Sequence, residues 1–308
     1  MSKHLFSQVD VFAGEPMRGN PVAVVHDAVT QDGHDLATEE MQAFARWTNL
    51  SETTFVLPPR DPSADYRLRI FTPGGELPFA GHPTLGSCRA WLAVGGTPSD
   101  TNVIVQECTA GLVRIRQAGG RLAFAAPPLV RSGPPQADLR EAVTSTLGLT
   151  NDQVVSMSWV ANGPNWLGVL LRDADTVLAV RPDFAAMRSL GDVEVGVIGP
   201  HEPGGPADYE VRAFCPELGV PEDPVTGSLQ AGLAQWLVGA GVAPDRYVAA
   251  QGTAVGRVGR VYVDTERIQV ADVGAAEHDG GAAHHDVLGD IWIGGDTMLR
   301  VAGAVDFG

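Results

Sequence analysis

One pattern occurs twice in the chain and limits its architecture more than any other feature. An apolar run ending Ile70-Phe71-Thr72-Pro73 is followed by Gly81-His82-Pro83-Thr84-Leu85-Gly86-Ser87 and an apolar helical stretch. A run ending Ala213-Phe214-Cys215-Pro216 is followed by Glu222-Asp223-Pro224-Val225-Thr226-Gly227-Ser228 and a second such stretch. Both copies read strand, proline, loop, x-Pro-x-x-Gly-Ser, helix. A repeat of this kind predicts two similar lobes, each wrapping strands around a helix, with both helix N-termini turned toward a shared cleft. The 308 residues suffice for two such units, since a domain with its own core needs about 150. The expected division is 1–126 and 127–308, with the last strand able to cross back to the first lobe.

The flanking sequence agrees with a strand-rich α/β (α+β) fold. Apolar or alternating runs predict strands at 5–12, 21–25, 53–57, 66–71, 103–107, 112–116 and 121–125, and Gly119-Gly120 marks a hairpin turn. A helix is predicted over 38–48, with Met41, Ala45 and Thr48 on one face and Asn49 capping its end, and another from about Pro83 to Val94. After the proline-rich stretch 126–135 come a helix at 138–147, strands at 154–160, 166–171, 193–198 and 209–214, and a helix at 226–238. Leu229, Leu233, Trp236 and Leu237 keep helical spacing, and Ala231 and Ala234 make that helix apolar nearly all round, as a central buried helix is.

Charge and composition exclude several functions. With 21 basic against 37 acidic residues the net charge is −16, which argues against nucleic-acid or anionic membrane partners. The only lysine is Lys3, so a pyridoxal aldimine, a Schiff-base aldolase and a Walker-type phosphate loop lack their essential residue. Three cysteines without close spacing suggest a reduced compartment, and the absence of a leader-like or membrane-length apolar run suggests a cytoplasmic protein. The segment from Val273 to Asp290 holds Glu277, His278, Asp279, His284, His285 and Asp286, ligand types for Zn²⁺ or Ni²⁺. It lacks a paired-histidine helix spacing, and Gly280-Gly281 favours a solvated loop; no metal and no cofactor is expected.

Two helix N-termini facing one cleft make an anion site, because each presents unsatisfied N–H groups and the positive end of a dipole. A small carboxylate substrate fits that field. His82 and Asp223 fall in the loops entering the helices, and Ser228 in a first turn. Each also has an ordinary structural role open to it: a turn histidine, a capping acid, a hydroxyl bonded to backbone. Glu52, in Asn49-Leu50-Ser51-Glu52-Thr53-Thr54-Phe55-Val56, is either a surface residue at a strand start or a desolvated acid able to take and give a proton near neutral pH.

The segments 10–25 (DVFAGEPMRGNPVAVV), 49–59 (NLSETTFVLPP), 68–87 (LRIFTPGGELPFAGHPTLGS), 222–232 (EDPVTGSLQAG) and 291–303 (IWIGGDTMLRVAG) resemble, in order and spacing, the family of the phenazine biosynthesis protein PhzF. The resemblance covers nearly the whole chain. It implies the two-lobed fold of diaminopimelate epimerase, a homodimer, and an isomerase that works without metal or organic cofactor. The best known reaction of the family is isomerisation of trans-2,3-dihydro-3-hydroxyanthranilate. By the same resemblance Glu52 matches the catalytic glutamate, His82 and Asp223 match residues that orient substrate or assist proton movement, and Ser228 with the backbone of Gly81 and Gly227 matches the substrate-holding site. Two alternatives remain at this level. A racemase or epimerase of the same fold would use a cysteine from each lobe, and neither helix-entry loop contains one. A non-catalytic binding protein would have kept the cleft and lost the chemistry.

Overall fold

The computed structural model describes residues 3–216, 220–271 and 284–307. Its first half runs β1 (Lys3–Val11), β2 (Asn20–Val25), α1 (Thr38–Thr48), β3 (Glu52–Leu57), β4 (Tyr66–Phe71), β5 (Glu76–Leu77), α2 (Gly81–Ala93), β6 (Val103–Cys108), β7 (Gly111–Ala118) and β8 (Arg121–Ala125). The second half runs β9 (Arg131–Gly133), α3 (Ala137–Thr146), β10 (Val154–Ala161), β11 (Trp166–Leu171), α4 (Ala174–Ala179), α5 (Phe184–Arg188), β12 (Glu194–Pro200), β13 (Tyr209–Cys215) and β14 (Val220–Asp223). It continues with α6 (Gly227–Gly239), β15 (Arg246–Gln251), β16 (Gly259–Ala271), β17 (His284–Gly295) and β18 (Thr297–Asp306).

Strand pairing repeats between the halves step for step. In the first, β1 and β2 pair antiparallel, β2 and β3 parallel, β3 and β4 antiparallel, β4 and β6 parallel, and β6, β7 and β8 follow antiparallel. In the second, β10 to β13, β15, β16 and β17 follow the same sequence of directions. β9 closes on β10, and β18 returns from the far end of the chain to pair with β1, Lys3 opposite Asp306. β8 pairs with β17, joining the halves in one ladder.

Each half is layered around a central helix. Alternation along β11 sends Trp166 and Leu170 to the core that holds α6, and Leu167, Val169 and Leu171 to an outer core under α3 to α5. In the first half the outer core lies under α1, where Met41 and Ala45 meet Phe55 and Phe71. α2 and α6 are the helices buried almost all round, and the core containing them runs through both halves.

Several expectations need correction. α2 begins at Gly81, two residues before Pro83, so His82 sits in its first turn and not in a loop. The sequence overlay of Gly86-Ser87 on Gly227-Ser228 is out of register: the latter open α6, whereas the former lie in the second turn of α2. Proline is tolerated both before a helix and within its first turn, so its position does not fix the start. The Gly- and His-rich segment is not all loop. Residues 272–283, with Glu277, His278 and Asp279, lie outside the described residues, but His284 to Gly289 belong to β17 and pair with β16. Among the described residues no His, Cys, Asp and Glu side chains cluster in a metal-holding group, and no helix is long and apolar enough to cross a membrane.

Candidate active site

The N-termini of α2 and α6 meet through their first residues. A Cβ on Gly81 would stand 2.8 Å from the Cα of Gly227, and one on Gly227 would stand 2.9 Å from the Cα of Gly81. Only glycine at both positions lets the two backbones approach so closely. Neither helix has a side-chain cap, so the first-turn N–H groups keep their capacity to bind an acceptor. His82 and Ser228 are the second residues of their helices and therefore equivalent positions.

Around this junction the sequence-predicted residues come together. Glu52, first residue of β3, directs Oε2 to within 3.3 Å of His82 Nε2. Asn20, at the start of β2 and fully buried, ties the halves: its Nδ2 donates to Asp223 Oδ1 at 3.1 Å and to the Val225 carbonyl at 3.0 Å. His82 Nδ1 lies 3.3 Å from the same amide, and Ser51 Oγ donates to Asn20 Oδ1 at 3.1 Å. Thr226 Oγ1 donates to Asp223 Oδ2 at 2.5 Å, and Gln251 Nε2 donates to both Thr226 Oγ1 and the Asp223 carbonyl. Ser228 Oγ accepts from Trp166 Nε1 at 3.0 Å.

Burial sets the protonation states. It pushes the Glu52 carboxyl up to about 8, helped by the nearby Asp223 charge and opposed by a hydrogen bond from Ser51. Burial also lifts Asp223 to about 6, against hydrogen bonds from Thr226 and Asn20 that hold it down. His82 is pushed down to about 3 by the same loss of solvent, with a hydrogen bond to the Pro21 backbone acting the other way. At neutral pH the imidazole is therefore uncharged, and the two acids titrate as a pair on either side of neutrality. Glu52, Asp223, Thr226 and Ser228 line a recess of about 60 Å³ together with Trp166 and Phe79. The larger surface clefts, one of which shares Phe79 with this recess, contain no such pair of raised carboxyls among the described residues.

Known proteins match nearly the whole chain. The family model for phenazine biosynthesis-like proteins, PhzC-PhzF, matches residues 9–284. The chain belongs to that family. It is 34% identical over 291 residues to a trans-2,3-dihydro-3-hydroxyanthranilate isomerase of Pseudomonas aeruginosa, covering 91% of this chain and 99% of the relative. It is 37% identical over 280 residues to antisense-enhancing sequence 1 of Schizosaccharomyces pombe, covering 86% and 92% respectively. Among solved structures, one described as a predicted epimerase of Pseudomonas aeruginosa superposes with a TM-score of 0.71 at 26% identity over 99% of both chains.

In this PhzC-PhzF member the same cluster also holds residues that motif reading missed. Asn20 stands in the quoted Gly19-Asn20-Pro21 segment, and a polar residue opening an otherwise apolar strand was the signal for it. Cys215 lines the recess, its thiol pushed well above its usual range by burial. Register also reveals an internal counterpart of Glu52. Glu52 pairs with Val22 and precedes the Thr53–Phe71 pair, and Glu194 pairs with Trp166 and precedes the Val195–Phe214 pair. Both glutamates have an Oε2 that is buried without a hydrogen-bond partner and a carboxyl raised by burial.

Proposed function

We propose that this isomerase moves a proton between carbons of a small unsaturated amino or hydroxy carboxylic acid, with Glu52 as the acid and base. The observation that carries this reading is the Glu52 carboxyl, raised to about 8 at the wall of a recess that two helix N-termini border. A group titrating near neutral pH can accept a proton and return it without a large penalty in either direction. In the proposed cycle the substrate carboxylate is held by first-turn N–H groups of Gly81, His82, Gly227 and Ser228 at the junction of the lobes. Ionised Glu52 takes a proton from one carbon, the electron pair shifts along the unsaturated system, and the Glu52 carboxylic acid delivers a proton to the carbon at its other end. Neutral His82, 3.3 Å from Glu52, and Asp223 orient the substrate and the carboxyl.

The first compound to test is trans-2,3-dihydro-3-hydroxyanthranilate, followed by acyclic unsaturated amino and hydroxy acids, in D₂O by NMR. A shifted double bond, with deuterium at the receiving carbon when the carboxyl exchanges, supports the reading. Glu52→Gln should lower kcat at least ~100-fold with substrate binding retained, since a positioned acid/base is worth 10²- to 10⁴-fold. Binding without isomerisation or exchange across several ligand classes would mark a passive binder.

A two-thiol epimerase finds little support in the geometry. Cys215 lines the recess, but Cys88 is buried within α2 with its thiol pushed up to about 12, and the strand position equivalent to Cys215 holds Thr72. Replacing all three cysteines by alanine should leave turnover nearly unchanged. Inversion at an α-carbon that vanishes in that variant would reverse the assignment.

A further inference from the structure

The recess is smaller than the substrates its chemistry suits. At about 60 Å³ it is well under the cavity of roughly 150 Å³ that holds benzene in a protein interior. A cleft of about 650 Å³ lies next to it, walled by Leu112, Val113, Leu129, Leu288 and Ile291. Phe79 lines both spaces, and no other described residue does. It is 2% exposed, and its ring meets Phe124 edge-on at 5.4 Å. Phe124 in turn stands 2.8 Å from where a Gly81 Cβ would be, so the partition is braced directly against the helix junction.

We propose that Phe79 determines how long an acid the site accepts: its ring separates the carboxylate-binding recess from the cleft, and the cleft is the continuation of the substrate site for acids with an apolar tail. This rests on the reading of the recess as a carboxylate site. The wild-type protein with Phe79 in place takes compact acids. With the ring cut back, the carboxylate stays at the helix junction and an apolar tail passes into the cleft, whose aliphatic walls suit it. The nearest charges in that wall, Arg114 and Asp290, are paired at 2.7 Å and leave no net charge to repel a hydrocarbon.

Two probes separate the parts of this claim: crotonate, whose short chain asks for little room beyond the carboxylate contacts, and trans-6-phenylhex-2-enoate, which carries the same reactive end and a long tail. Binding to wild type, Phe79→Ala and the milder Phe79→Leu is measured by ligand-observed NMR, with circular dichroism as the check on folding. The expected result is at least tenfold tighter binding of the long acid to Phe79→Leu than to wild type, with crotonate changed less than threefold. Adding Ala110→Trp, an exposed position in the cleft wall, should remove the gain. Equal affinity of wild type and folded variants for the long acid, with crotonate still bound, would overturn the partition and leave the recess reading standing. Failure of crotonate to bind wild type, or binding unaffected by Ser228→Trp, would overturn the recess reading and the partition with it.

Discussion

At the scale of single residues, the raised carboxyls make the protein's stability depend on pH in a direction opposite to that of a salt-bridged acid. Glu52 ionises near 4.5 in an unfolded chain and near 8 in the fold. Between those values the folded state keeps a proton that the unfolded state has lost, so this contribution to stability falls as pH rises and is fully lost above about 8. Glu52→Gln should therefore flatten the profile and gain on wild type as pH increases, a difference that urea midpoints at roughly pH 5, 7 and 9 would detect. An anionic ligand at the helix junction should raise both carboxyls further. Calorimetry in buffers of different ionisation enthalpy should then record proton uptake on carboxylate binding between about pH 6 and 8. Asn20→Ala strips Asp223 and the Val225 carbonyl of a buried donor. A cost of about 1–3 kcal/mol is expected in chemical unfolding, with a loss of turnover beyond what the stability change explains.

At the scale of elements, the contact between α2 and α6 is a test of the whole site. Gly81→Ala or Gly227→Ala places a methyl under 3.0 Å from the opposing backbone, so the helices must separate. Each single change should cost about 1–3 kcal/mol and weaken carboxylate binding. The double variant should cost less than the sum, because once the helices have parted the second methyl meets less resistance. Much of this layer was legible beforehand. The strands at 66–71, 121–125 and 166–171 and the helix at 38–48 have the bounds that alternation, hairpin glycines and Asn49 in its left-handed cap imply. The candidate residues Glu52, His82, Asp223 and Ser228 also lie close together near the ends of the two helices that the paired loops enter. The register of the second loop was not legible, since what sets it is the approach of Gly227 to Gly81, a contact 146 positions apart that no local pattern encodes. The short helices α4 and α5 and the strands β15 and β16 also escaped notice, because their apolar runs are brief or mixed with charge.

At the scale of the whole molecule, the repeated pairing order explains how one chain builds a two-sided site: each half supplies a buried helix whose free end points inward, and the β8–β17 ladder holds the halves in register. Removing the chain from Thr297 onward should uncover the β1 edge while leaving the β9 to β17 pairings intact. Hydrogen exchange is expected to show lost protection in β1 and β2 with protection kept in β10 and β11; uniform loss would mean that the halves fold as one cooperative unit. The return of β18 to β1 also bears on how the protein is made. β1 leaves the ribosome well before β18, so until β18 follows, the edge of β1 that β2 does not cover presents bare N–H and C=O groups to other nascent chains nearby. The second half has all its strands once β17 has emerged, before the first half can close. For this chain, order of translation and order of completion run in opposite directions.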